Sequence, residues 1–159
     1  SHLQMLRSER ITATIPALCA GLSFLHYKSY DKLPSLAIYE HWVKDNYPKH
    51  FFHGIHLLVS QNYQNQLTIG DSHDYGLHHD PFQIESVDQL ILDYLNEIFD
   101  IPDLKMAQRW TGQYLKLKNN SSEWIQEIEN GVWVANGPGG AGMTLSFGMA
   151  EDTISQMIG

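Results

Sequence analysis

The sequence predicts an α+β fold, a mostly antiparallel sheet with about three helices. Three observations carry this. Runs rich in β-branched and aromatic residues alternate with runs of helical spacing. Strand-like runs are joined by short turn-forming segments, the mark of hairpins. The segment after Ser86 places Val87, Leu90, Ile91, Tyr94, Leu95 and Ile98 on one helical face.

In chain order, residues 11–27 lack helical periodicity and read as extended structure, interrupted by Pro16 and Gly21. Pro34 and Ser35 open a helix through Leu36, Ile38, Tyr39, Trp42 and Val43, which Tyr47-Pro48 stops. Residues 55–60 and 67–69 form two strands, with the polar stretch 61–66 as their hairpin loop. Residues 71–81 form a polar loop rich in His and Gly. Ser86 caps the next helix, with Gln89 in the acid's place of a capping box, and Pro102 ends that region. Residues 105–118 and 124–128 suit strands. Asn130-Gly131 signals a two-residue hairpin with positive φ at both positions, and Val132 to Ala135 follow as an apolar strand. A glycine-rich segment, 136–142, leads into a helix over 143–158.

Composition narrows the function classes. Apolar residues make up 43% and charged residues 18%, so the chain can offset its ordering entropy and fold. The net charge of −8 leaves no basic patch for nucleic acid or anionic membranes. No apolar run is long enough for a membrane span. A single cysteine, Cys19, excludes an internal disulfide and a cysteine-based zinc site. The start, Ser1-His2-Leu3-Gln4, has no signal-peptide pattern and reads as a processed end of a cytoplasmic protein.

Three clusters bear on chemistry. An apolar strand runs into glycines at 137, 139, 140 and 142 and then a helix. Small residues admit close approach to the backbone, and the first-turn amides face an electron-rich group with the positive end of the dipole. The segment has no second βαβ half after it, so it does not read as a dinucleotide fingerprint, and no Lys-Ser/Thr follows the glycines as in a P-loop. The segment 70–80 holds three His and three Asp. These are ligand types for zinc, iron or manganese, but adjacent His78-His79 point apart on a strand, so a solvated acidic loop with no metal is expected. His50, His53 and His56 lie three apart, but Phe51, Phe52 and Gly54 indicate a helix exit rather than a ligand set. Arg109-Trp110-Thr111-Gly112-Gln113-Tyr114 sets an Arg beside two aromatics, an anion anchor and floor for a small ligand or a core Trp with a surface Arg.

The run 131–151 resembles the closing segment of the D-amino-acid oxidase-like FAD-dependent oxidoreductases. The segments 70–76 and 4–7 resemble a subgroup of that family associated with phosphonate metabolism. The resemblance implies that Gly139, Gly140, Ala141, Gly142, Met143 and Thr144 lie against the pyrimidine side of the flavin, where amides and helix dipole favour negative charge at N1 and O2. It implies a substrate domain over residues 1–130 covering the flavin's other face, and a strand, turn and helix over 131–159 returning to the flavin domain. A small-molecule amine is the implied substrate, its C–H oriented toward flavin N5 with water excluded.

Two departures from the family pattern matter. Amino-acid oxidases of this family often carry Trp-x-Gly-x-Arg-Pro, whose Arg grips the carboxylate, but here Tyr114 occupies that position. Arg109, His73 and Tyr75 then become the groups to hold a different anion, such as a phosphonate. The family's opening βαβ unit, whose Gly-x-Gly-x-x-Gly grips the ADP half of FAD, has no counterpart in the sequence. The expectation is therefore a C-terminal portion of a longer enzyme, inactive and prone to self-association when isolated. Its competitors are a stand-alone small-ligand-binding or interaction module, and a metal-binding domain using residues 73–80.

Overall fold

A computed structural model describes residues 1–158 except 28, 29, 77–79, 120 and 122. The reading of His78 and His79 therefore lies outside the described residues. The chain divides into two units, His2–Gln113 and Tyr114–Gly159, with Ser1 joined to the second.

The first unit contains β1 (His2–Arg10), β2 (Leu18–Cys19), α1 (Pro34–Asn46), α2 (Pro48–Phe52), β3 (Leu58–Gln61), β4 (Gln66–Gly70), α3 (Glu85–Asn96) and β5 (Met106–Gln113). Among the described residues its five strands pair antiparallel in the order β2-β3-β4-β1-β5. The predicted hairpin joins β3 to β4. Its loop is closed by Asn62, whose side-chain oxygen accepts from the Gln64 and Gln66 amides at 2.9 and 3.0 Å, with Asn65 left-handed at φ 59°.

Strand β1 was not predicted, yet it lies between β4 and β5. Its buried positions are His2, Gln4, Leu6 and Ser8, only one of them apolar, so no hydrophobic alternation shows in the sequence. Burial of Gln4 and Ser8 is tolerated because their polar groups are bonded. Ser8 Oγ accepts from the Leu67 amide at 2.8 Å. The Gln4 amide nitrogen donates to Asp88 Oδ1 at 2.7 Å and to the Ile84 carbonyl at 3.1 Å, while its oxygen accepts from the Ile84 N–H at 2.8 Å.

Gln4 thereby takes over the capping expected of Ser86. The residue preceding α3 is Ile84, which forms no side-chain cap, and Ser86 lies inside the helix. Helix α3 buries Val87, Ile91, Tyr94 and Leu95 against Leu6, Leu67, Ile69 and Val59 of the sheet. Each fully buried aliphatic side chain contributes roughly 1.5–3 kcal/mol of transfer free energy. Tyr94 keeps its hydroxyl bonded by accepting from the Leu22 amide at 3.2 Å.

Two other expectations change. Residues 11–27 form only the two-residue β2 and a 3₁₀ turn over Gly21–His26, not continuous strand. Pro48 stops α1 but opens the short α2, since proline needs no hydrogen-bond partner in a first turn.

The second unit pairs β6 (Trp124–Glu129) with β7 (Val132–Asn136), then continues through a 3₁₀ turn, Gly139–Ala141, into α4 (Gly142–Ile158). At the Asn130-Gly131 turn only Gly131 has positive φ, and the register shifts between Glu127 and Glu129. The turn is thus bulged rather than left-handed at both positions. Gly137, at φ 97°, has no alternative, since a Cβ there would collide with the Leu117 side chain.

Candidate functional site

The most chemically loaded part of the first unit gathers three chain segments. The 3₁₀ turn ends at His26 and Tyr27. The exit from α2 carries His53 and His56. The continuation of β4 carries Asp71, His73, Asp74 and Tyr75. Backbone pairing continues past Gly70 and places them. His56 and Asp71 exchange both N–H···O bonds, at 2.7 and 2.5 Å. The His73 amide donates to the His53 carbonyl at 2.8 Å, and Asp74 exchanges bonds with His2 at 2.9 Å each way. Gly54 makes the crossing feasible: at φ 52° a Cβ would stand 2.9 Å from the His73 carbonyl oxygen and 3.2 Å from the His26 ring.

The side chains converge accordingly. The His26 ring stacks on those of His56 and His73, with centroids 5.3 and 5.1 Å away and planes inclined by 24° in both cases. Asp71 Oδ1 lies 3.5 Å from His56 Nδ1 and 3.6 Å from His73 Nδ1. His56 Nε2 lies 3.2 Å from Tyr27 Oη. Tyr75 is half exposed, its ring centroid 6.2 Å from that of His73. Asp71, Ser72 and His73 are therefore not parts of a solvated loop. Ser72 and His73 are buried, and Ser72 Oγ accepts from the Gln4 amide at 3.1 Å.

Burial sets the protonation states. It pushes the Asp71 carboxyl up to about 7, against the opposing bond from its own backbone amide. It pushes His56 down to about 4, assisted by the neighbouring His26. Burial, then the hydrogen bond to Cys19, raises the Tyr27 hydroxyl to about 12. His56 is thus neutral near pH 7 despite its nearby carboxylate. At 3.5 Å their contact is also too long for a good hydrogen bond, so it is not an ion pair in the ordinary sense.

Arg109 is placed differently. Its Nε is 3.0 Å from Asp88 Oδ2 and its Nη2 is 3.4 Å from Glu85 Oε1, both on α3. Asp88 is 1% exposed, and Gln4 satisfies its other oxygen. Burial raises the Asp88 pKa; Gln4 and Arg109 work against that rise. The Arg109 charge is matched by a buried carboxylate.

In the second unit the ring of Tyr114 runs beside the glycine-rich turn. A methyl at Gly139 would touch Tyr114 Cε2 at 3.5 Å, and one at Gly140 would touch Tyr114 Oη at 3.5 Å. Met143 and Phe147 project from the start of α4, 94% and 87% exposed. A groove of about 460 Å³ runs between β7 and α4, lined by Asn136, Pro138, Ser146, Met149 and Thr153 among others. Of the predicted site residues, the structure brings together His73 with Tyr75, and Tyr114 with Gly139 and Gly140. Arg109 sits with α3 instead. Sequence reading missed His26, His56 and Asp71 as partners, because their spacing of 30 and 15 residues follows no helix or strand period.

The turn suits the pyrimidine end of a flavin in its chemistry. Glycines bare the backbone, the amides opening α4 have no partner within the helix, and an aromatic ring lies alongside. Among the described residues, no helix is long and apolar enough to cross a membrane. Neither the curated proteins nor the solved structures compared with this chain include a match. The family model described as "FAD dependent oxidoreductase" (DAO) matches residues 24–156, well over half of the chain. The chain belongs to the DAO family of FAD-dependent oxidoreductases.

Proposed function

We propose that this chain is the C-terminal portion of an FAD-dependent oxidoreductase acting on a small amine or amino-acid-like compound, with an aminophosphonate as the favoured class. The observation that carries the reading is the family match over residues 24–156. Residues 1–130 act as the substrate-binding part, and residues 131–159 return to the flavin domain. The bound flavin supplies hydride acceptance, taking the C–H hydrogen of the amine with its electron pair.

The chain's own residues bind, orient and exclude water. The backbone amides over residues 139–144, in the 3₁₀ turn and the first turn of α4, would favour negative charge on the pyrimidine side of a bound flavin. Tyr114 supports that turn and presents its hydroxyl where relatives carry a carboxylate-gripping Arg. His73 and Tyr75 contact the polar end of the substrate. Arg109, already matched by Asp88, serves chiefly to hold β5 to α3. Replacing the Arg by Tyr114 removes the bidentate partner of a carboxylate, which supports a substrate other than an ordinary α-amino acid.

The test is the flavin of the intact gene product. It is expected to carry about one FAD and to be bleached anaerobically by aminophosphonates faster than by α-amino acids. Tyr114→Ala is expected to raise KM about tenfold, equivalent to about 1.4 kcal/mol of binding. An intact product without flavin, or one whose flavin no amine reduces, overturns the reading.

A further inference from the structure

We propose that His56, Asp71 and His73 form a binding site for a divalent first-row metal ion, zinc by preference. The site lies in the first unit and does not depend on the flavin reading.

The first support is geometric. One ligand atom from each residue lies within 4.8 Å of the other two. The two measured edges, 3.5 and 3.6 Å, both meet at Asp71 Oδ1. A tetrahedral zinc with metal–ligand bonds of about 2.0–2.1 Å has ligand–ligand edges of about 3.3 Å. Two edges of one face of such a tetrahedron are therefore met to within a few tenths of an ångström, and the third, between the two imidazole nitrogens, is no longer than 4.8 Å.

The second support is the pattern of hydrogen bonding. Asp71 Oδ1 is buried and has no hydrogen-bond partner among the described residues. In the tautomer that gives its Nε2 proton to Tyr27 Oη, 3.2 Å away, His56 turns a lone pair at Nδ1 toward that oxygen. Two acceptors then face each other at 3.5 Å, which is unfavourable unless a proton or a metal ion lies between them. Metal-bound imidazoles are commonly held this way, with the far nitrogen bonded to a second group. His26, stacked on both ligand rings, fixes their planes.

The donor set selects the class of ion. Two imidazoles and one carboxylate suit zinc or iron(II) and disfavour calcium and magnesium, which prefer oxygen. Three protein ligands leave a fourth position for water or an anionic oxygen, as in catalytic rather than structural zinc sites.

The experiment titrates Zn²⁺ alone into the metal-free 159-residue chain, without flavin, by calorimetry, and repeats it with Co²⁺ by visible spectroscopy. One saturable equivalent and the d–d bands of four-coordinate Co²⁺ are expected. His56→Gln and Asp71→Asn are each expected to weaken binding at least tenfold. His41→Gln, at an exposed histidine on α1, is expected to bind like the parent. Circular dichroism checks that the variants fold. Nitrogen NMR of the parent chain reads the same site without any variant, with Zn²⁺ shifting the Nδ1 signals of His56 and His73. Absence of a saturable equivalent, unchanged affinity in folded His56→Gln and Asp71→Asn, or shifts confined to other histidines overturns the proposal. Because no flavin is present, the outcome is separate from the test of the oxidoreductase reading.

Discussion

The Gln4–Asp88–Arg109 group shows how a few polar side chains are placed by one another. Asp88 is buried with a carboxylate that only Gln4 and Arg109 compensate. Asp88→Ala leaves the exposed Arg109 guanidinium with Glu85 alone and the buried Gln4 amide with one acceptor fewer. A loss of about 1–2 kcal/mol is expected in urea denaturation, and a smaller one for Asp88→Asn, which keeps the shape. His50 carries a pH dependence. Burial lowers its pKa below the usual 6.5, with the bond to the Leu90 carbonyl opposing. A lowered pKa means that its stabilising contribution is complete above pH 6.5 and is lost as pH falls toward the folded-state value. The stability of His50→Gln is therefore expected to fall less steeply than the parent's below pH 6.5, measured as denaturation midpoints across pH. Parallel profiles would remove His50 from that account.

Among the elements, α3 and α4 behave oppositely. Helix α3 has its apolar stripe covered by the sheet, with Val87, Ile91 and Leu95 fully buried. Ile91→Ala is expected to cost about 2–5 kcal/mol through lost transfer energy and a residual cavity. Helix α4 presents Met143, Phe147, Ile154 and Ile158 at spacings of four, seven and four, one continuous stripe, all exposed. Phe147→Gln is expected to change stability by less than about 0.5 kcal/mol, because little contact is lost. The contrast explains why periodicity alone recognised both helices but did not distinguish their roles. A stripe states that a face is apolar, not what covers it. Strand β1 makes the converse point: its inward face is largely polar, and only its hydrogen-bond partners on α3 and β4 reveal it as an interior strand of the sheet.

At the scale of the whole molecule, the second unit is thin. Among the described residues from 114 onward, Met149 is the buried apolar side chain. So small a core supplies little stability, and the exposed stripe of α4 favours association. The isolated chain is expected to self-associate with rising concentration, and Phe147→Glu to reduce this, both read by light scattering. A concentration-independent monomer would refute it. The same chain is expected to retain well under one equivalent of FAD after dialysis, because among the described residues the strands pair antiparallel and form no βαβ unit to grip the ADP half.

Local chemistry by itself determined the α+β class, the amphipathic α3, both hairpins and the glycine-rich turn before α4. Each depends on side chains within a few residues of one another. Tertiary structure alone decided three things: that β1 lies inside the sheet, that Arg109 answers to Asp88, and that His26, His56, Asp71 and His73 meet. These rest on contacts across 15 residues, as from His56 to Asp71, up to 111, as from His2 to Gln113. No sequence period encodes such meetings. They arise when chain segments pay the entropy of closure and a buried polar atom finds, or lacks, the partner that burial demands.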